Sequence, residues 1–339
     1  MAVNSLNITL ETVTPIWTGG AEGKADRLHT TGIMGSLRWW YEALVRGVGG
    51  NGCDPTQHAC MYKDELPDQG LCDVCRVFGA TGWSRRFRLM VENEDQLQPE
   101  KSPNLKISAA RSYVRGKGGV TKTITPTWYF KGPALRDKVD IRLIATEQKF
   151  QIQIIGGLMQ FIADWASIGA KPQMGFGVVE ITPRQDVNSL IEHLQSIAGT
   201  NKEKKLPALD NMFFASISAG NLATSRNPVQ ETFNLKYDLR CLFATDPNLR
   251  HFVMGTVKGE RRGAKIMMSR PYSGNTIRLW GWIPEEVSRF GAARVQVLDR
   301  IYKHLSTHYA LTYWREFDSP RDTNRCNDIF QFLQSFGGK

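Results

Sequence analysis

The sequence predicts a mixed α+β fold made of two similarly built domains, and three observations carry that expectation. Segments of period two and segments of helical period follow one another in mixed order rather than in regular strand–helix alternation. The set of segments occurs twice, on either side of the charged stretch Lys202-Glu-Lys-Lys205 and Pro207. The length, 339 residues, divides naturally into two domains of ~100–200 residues each. We therefore expect an N-terminal domain over 1–200, with a Cys-rich insertion at 49–80 and a basic loop at 101–136, and a C-terminal domain over 206–339.

The elements follow in order. Leu6 to Val13 alternates apolar and polar residues, as a half-buried strand does. After Pro15 and Gly19-Gly20, a helix is expected to begin near Ser36, which can cap it, with Leu37, Trp40, Tyr41, Leu44 and Val48 on one face. Residues 49–76 read as loop. Ser84–Val91 and Val139–Ala145 read as strands, Ile152–Trp165 as a buried helix, and Phe176–Ile181 as a strand after a Gly-rich turn. A short helix is expected over Val187–Ile197. In the second half Met212–Ser218 and Ile277–Ile283 read as strands. Pro284 is expected to open one long helix whose Val287, Phe290, Val297, Ile301 and Leu305 face one way.

No run approaches the ~20 apolar residues that cross a bilayer, and the first residues carry no basic segment followed by an apolar block. The expected compartment is the cytoplasm, where thiols stay reduced and clustered Cys bind metal more often than they pair. Lys and Arg number 43 against 33 Asp and Glu, an excess of ten that favours polyanionic partners. Lys101 to Arg136 holds eight basic residues and no acidic one, interleaved with Tyr113, Trp128, Tyr129 and Phe130. Such a stretch suits phosphate neutralisation and base stacking. A second block, Lys258 to Arg278, sets six basic residues against Glu260 alone.

Four of the six cysteines, Cys53, Cys60, Cys72 and Cys75, fall within 23 residues, and Cys72-Asp-Val-Cys75 has the spacing of a zinc knuckle. The expected cofactor is a structural Zn2+ held by these four, or with His58 in place of Cys60. Cys241 and Cys326 stand apart and read as buried structural residues. The glycines of Ser167 to Gly177 would let the backbone pass close to a phosphate or to a neighbouring element. Catalytic groups are few. His304 and His308 lie four apart without the Glu of a metalloprotease helix. Asp26 and His29 share the loop before the first helix, but no carboxylate cluster suits metal-assisted phosphoryl transfer.

Together these segments resemble the RAMP superfamily of CRISPR systems, most closely the family of first subunits of type III-B Cmr effector complexes. The resemblance rests on Glu11 to Lys24, on Gly32-Ile-Met-Gly-Ser-Leu-Arg-Trp-Trp-Tyr41, on Cys72-x-x-Cys75-Arg-Val-Phe-Gly79, on the glycine-rich loop 167–177, and on Lys258 to Tyr272 with Leu279-Trp-Gly-Trp-Ile-Pro284. Met34, Ser167 and Pro172-Gln-Met174 depart from the basic and glycine residues usual at those positions. The resemblance implies two ferredoxin-like domains packed together, in a non-catalytic subunit. Such a subunit would hold the 3′ region of a guide RNA and the target RNA at the end distal to the guide's 5′ tag, beside other RAMP subunits. The RNA-binding residues it points to, with the basic blocks, are Lys24, Arg27, Arg38, Trp39, Arg46, Arg111, Arg115, Lys117, Lys122, Lys171, Gly175, Gly177, Arg261, Arg262, Lys265 and Arg270. The rival reading is a RAMP endoribonuclease acting through His29 or Asp26.

Overall fold

The computed structural model describes all residues except 1–3, 21, 24, 55, 58, 102–104, 107–112, 118–119, 129–132, 202–204, 220–227, 258 and 338–339. The backbone alone is described for 105–106, 113–117, 120–124 and 228. The first half runs β1 (Ser5–Thr12), α1 (Thr30–Gly47), α2 (Asp73–Phe78), β2 (Phe87–Glu92), β3 (Gln98–Glu100), β4 (Leu105–Lys106), β5 (Tyr113–Lys117), β6 (Val120–Ile124), β7 (Thr127–Trp128), β8 (Ala134–Arg136), β9 (Lys138–Ala145), α3 (Gln153–Trp165), β10 (Val179–Thr182) and α4 (Asn188–Ser196). The second half runs β11 (Met212–Ser218), α5 (Pro228–Cys241), α6 (Pro247–Met254), β12 (Ile266–Met268), β13 (Thr276–Trp282), α7 (Arg294–His308), β14 (Ala310–Glu316) and α8 (Ile329–Gln334).

Each half is centred on a four-stranded antiparallel sheet, ordered β10-β1-β9-β2 and β12-β13-β11-β14. Numbered by their order in the chain, the strands of both sheets lie fourth, first, third, second, with helix after the first and after the third. The fold is therefore α+β, with the same order of elements in each half. Between β2 and β9 the expected basic loop is instead partly ordered as nested antiparallel pairs, β3 with β8, β4 with β7 and β5 with β6.

Alternation in β11 explains how the halves join. Met212 and Phe214 belong to the core that also holds α1, α3, β1 and β9, whereas Phe213, Ala215 and Ile217 belong to a second core with α6 and α7. A strand buried on both faces reads as a continuous apolar run, which is what 212–215 shows before Ser216 interrupts it. Polar ties reinforce the junction. Arg278 donates from Nη1 to Ala163 O at 2.7 Å and to Ala166 O at 3.0 Å, a cation on carbonyls at the C-terminal end of α3. The indole of Trp165 donates to Phe336 O at 3.1 Å.

Several expectations need correction. α1 starts at Thr30, six residues before Ser36, with His29 as an N-cap whose side chain makes no capping bond. Ser36 lies inside the helix, where its Oγ accepts from the Gly169 N–H at 2.8 Å. Phe176 and Val178 are buried but precede β10. The long helix after Pro284 is two pieces: a 3-10 turn ends at Phe290, Gly291 adopts φ +70°, and α7 begins at Arg294. Cys241 is exposed and Cys326 half-buried, so neither is a core residue.

Candidate nucleic-acid interface and metal centre

α1 presents two faces, and the candidate sites lie on them. Gly32, Gly35, Ser36, Trp39 and Trp40 recur at helical spacing and line a groove of about 820 Å³. The opposite wall comes from the second half: Gly263, Ala264, Lys265 and Met267 before and along β12, and Trp280 and Trp282 of β13. Loop residues Trp17, Gly19, Gly20 and Ser167 to Pro172 complete the lining. Five tryptophans therefore border one cleft, and no Asp or Glu is among its described lining residues. Trp17, Trp40 and Trp280 are buried and form its floor, while Trp39 and Trp282 are partly exposed.

The glycine-rich loop is held against the segment before α1. Ala170 N–H donates to Trp17 O at 2.7 Å and Gly177 N–H to Pro15 O at 2.9 Å. A Cβ on Gly177, at φ +88°, would lie 2.0 Å from Ile168 O, and one on Gly175 would lie 2.6 Å from Arg270 Cγ. Both glycines are buried and serve close backbone packing, the second of the two roles open to them. Lys171 is the cation the loop delivers to the groove, its Nζ 3.1 Å from the centroid of the Trp17 ring. Beside the groove, His29 Nε2 and Asp26 Oδ1 are 2.7 Å apart, and this hydrogen bond holds the exposed Asp26 carboxyl below its usual range.

Other expected RNA contacts lie elsewhere. Arg46 is buried, donating to Glu42 Oε2 at 3.3 Å, Cys53 O at 2.8 Å and Pro207 O at 3.3 Å. Arg270 is buried on Glu100 Oε1 at 2.9 Å and against the Phe176 ring. Lys265 borders the groove but is itself buried, donating to Phe252 O at 3.1 Å, with the Phe252 and Trp282 rings 3.8 and 5.0 Å away. Burial, opposed by Glu286 and aided by Arg262, pushes its ammonium down to about 8. Desolvation makes these three structural cations first, which charge counting along a sequence does not reveal. Arg262 pairs with Glu260 at 2.7 Å, and Arg27 and Arg261 are exposed. Lys24, His58, Arg111 and Lys258 lie outside the described residues. Arg115, Lys117 and Lys122 sit on β5 and β6, where the side chains are outside the description.

The second face of α1, Arg38, Glu42 and Arg46 at i, i+4 and i+8, meets the cysteines. Sγ atoms of Cys53, Cys60, Cys72 and Cys75 all lie within 4.8 Å of one another, with Cys53 and Cys75 at 3.7 Å. Four sulfurs ~2.3 Å from a tetrahedral ion would be about 3.8 Å apart, so the set fits one ion with little movement. Cys72 Sγ accepts the N–H groups of Cys53 and Cys75 at 3.5 and 3.4 Å. Hydrogen bonding from Cys53 and Cys75 draws its thiol well below the ordinary range. Arg38 Nη2 donates to Cys75 Sγ at 3.3 Å, Nη1 to Gly79 O at 3.2 Å, and Nε to Glu42 Oε1 at 3.0 Å. A guanidinium against this sulfur would offset the negative charge of thiolates. Sequence reasoning placed Arg38 on RNA; the i, i+4 spacing to Glu42 and Arg46 was the available signal for an inward network.

Over 86 residues the chain is 28% identical to the CRISPR system Cmr subunit Cmr1-2 of Pyrococcus furiosus, a match covering 25% of this chain and only 38% of that protein's length. The structure of apo Cmr1 from Pyrococcus furiosus aligns over 84% of this chain and 88% of its own, at 13% identity and a TM-score of 0.43. A chain in the cryo-EM structure of the type III-B Cmr-beta complex bound to cognate target RNA aligns over 87% of this chain and 99% of its own, at 11% identity and a TM-score of 0.42. The family model for the RAMP superfamily matches residues 9–180. That span takes in the second half of β1, both faces of α1, all four clustered cysteines and the glycine-rich loop, and with just over half its length so matched the chain belongs to the RAMP superfamily.

Proposed function

We propose that this chain is a non-catalytic RNA-binding subunit of a type III-B CRISPR effector complex. It would hold the 3′ region of a guide RNA and the target RNA at the end distal to the guide's 5′ tag, beside other RAMP subunits. The observation that carries the reading is the tryptophan-bordered groove, with no Asp or Glu among its described lining residues and Lys171 on Trp17. Partly exposed indoles stack bases of any sequence, and a guide and target that pair with each other leave the protein only backbone and stacking to recognise. Family membership and the name of the Pyrococcus furiosus relative supply the CRISPR context. Within this reading the two sheets are the cores of two ferredoxin-like domains, which the shared fourth-first-third-second strand order supports. Copurification from the native host followed by sequencing of bound RNA tests it. CRISPR-derived guides with neighbouring effector subunits are expected, and protein recovered with bulk RNA alone would overturn it.

The same reading places a structural Zn2+ on Cys53, Cys60, Cys72 and Cys75, supported by their mutual distances. Four protein ligands close the coordination sphere, so the ion would fasten the 49–80 insertion to α1 and take no part in chemistry. Cleavage by the Asp26–His29 pair is the alternative the geometry offers. Acid–base cleavage of RNA needs groups on both sides of the reacting phosphate, and these two bond each other. Incubation of guide and labelled target RNA with Mg2+ or Mn2+ should leave the target intact; specific cleavage abolished by Asp26→Ala or His29→Ala would replace the binding reading with an endoribonuclease.

A further inference from the structure

Behind the part of the groove wall formed by Gly263 and Ala264 lies a second depression, of about 410 Å³, which shares those two residues with the groove. Its cations come from three separate segments: Lys236 and Arg240 on α5, Arg250 on α6, and Arg262 in the turn that follows. Trp128 and Gln173 reach it from the first half, and no Asp or Glu is among its described lining residues. Lys236 Nζ donates to Gln173 O, Arg240 Nη1 to Gly255 O and Arg250 Nη1 to Ala244 O, each at 3.2 Å. Carbonyls orient Lys236 and Arg240 without neutralising them. The carboxylate paired with Arg262, Glu260, is highly exposed and lies outside the lining. A concave wall of converging cations focuses positive potential, and guanidinium groups match phosphate oxygens two at a time. Burial, with repulsion from Arg240, pushes the Lys236 ammonium down to about 7, a penalty that an anion in the depression would relieve.

We propose that this depression binds backbone phosphates of the RNA strand that occupies the groove, the strand crossing at Gly263 and Ala264. Lys236, Arg240 and Arg250 lie outside both basic blocks of the sequence, and Arg262 joins them from the second block. The proposal rests on the RNA-binding reading of the groove, and the two fail separately. Gln173 follows directly on Lys171 and Pro172, which line the groove, so the loop links both depressions.

The test measures binding of a labelled oligouridylate to the full chain across a salt series, by fluorescence anisotropy. Arg250→Gln with Arg262→Gln should lower the slope of log affinity against log salt by ~1.4, at ~0.7 for each phosphate contact on a single strand. Trp39→Ala with Trp282→Ala should weaken binding and keep the slope. Because Arg250 also supports Ala244 O, Lys236→Met serves as a second variant, expected to lower the slope by ~0.7, and thermal unfolding verifies that each variant folds. Folded depression variants with the wild-type slope would overturn the proposal and leave the groove reading standing. Wild-type binding by the tryptophan variant, with slopes reduced in the others, would overturn the groove reading and keep the depression as a phosphate site. In a separate arm inorganic phosphate is titrated calorimetrically. Tight phosphate binding with an RNA slope indifferent to Arg250 and Arg262 would assign the depression to a free anion and overturn the proposal.

Discussion

The two faces of α1 are made of opposite materials, and their uses are the reverse of what composition suggests. The face toward the groove carries Gly32, Gly35, Ser36, Trp39 and Trp40, with no charge at all, and borders the candidate RNA path. The face toward the cysteines carries Arg38, Glu42 and Arg46, and its two cations are spent on a carboxylate, backbone carbonyls and a sulfur. A cation marks a polyanion site only where nothing inside the protein already claims it. Arg46 fails that test; Lys171 lies over an indole at the groove.

The sharpest way to break the comparison is to remove what the charged face serves. Protein purified without chelator should carry about one Zn2+ per chain, since one four-ligand site binds one ion. Replacing Cys72 and Cys75 by Ser should abolish it. Structural zinc contributes ~10–16 kcal/mol of apparent binding free energy in small peptides, so metal loss is the largest effect expected here. Hydrogen exchange should rise most across 49–80 and least across β11, β13 and β14. Metal-free protein with all four thiols reduced and unchanged exchange would remove the ion from the account.

Next in size is Arg46→Met. It keeps the packing volume of the stem but leaves Glu42 with Arg38 alone and removes the donor to Cys53 O and Pro207 O, a loss bounded above by the ~3–5 kcal/mol that breaking a buried pair costs. Arg38→Met should cost less, because its side chain is partly exposed and Glu42 would retain Arg46. Denaturant unfolding distinguishes the two. An Arg46→Met protein as stable as wild type but impaired in RNA binding would return Arg46 to the interface.

On the uncharged face, Trp39→Ala and Trp282→Ala should each weaken single-stranded RNA binding by ~1–3 kcal/mol if each indole stacks one base. Thermal stability should fall less than for a fully buried ring, since both are partly exposed although packed against the core. Equal binding by both variants would show that the tryptophans serve packing between the halves rather than RNA.

What could be read from the sequence depended on how local each feature is. β1, β9, β11, β13 and α3 emerge within two residues of expectation, because each is a single run of one periodicity. The cysteine centre was legible for the same reason: its ligands lie within 23 residues of chain. The start of α1 was hidden by two glycines in its first turns and by a cap without a capping side chain. Helix α5 was not anticipated because it buries Thr232 and Asn234 beside Phe233 and Leu235, which erases the apolar stripe; Thr232 Oγ1 donates to Ser269 O at 2.9 Å. The groove was illegible as a unit. Trp282 is separated from Trp17 and Trp39 by most of the chain, and only the packing of two sheets through a shared core brings them to one cleft.

The effect confined to alkaline pH concerns Lys265, which borders the groove yet behaves like a residue of the charged face. Its ammonium ordinarily titrates near 10.5, and burial lowers it to about 8 in the folded protein. Below pH 8 both folded and unfolded chains hold the proton, and the folded state bears the full desolvation cost. Between about 8 and 10.5 the unfolded chain binds the proton and the folded chain releases it, so this residue's contribution to stability rises with pH, by at most ~1.4 kcal/mol per pH unit. Glu286 opposes the shift and Arg262 adds to it, so Arg262→Gln should raise the lower edge of the window and narrow it. Lys265→Met removes the group, and the difference in unfolding free energy between it and wild type should shrink as pH climbs from 8 to 10.5. A difference constant across that range would mean that Lys265 keeps its proton at ordinary affinity, with its ammonium reaching into the groove instead of resting on Phe252 O.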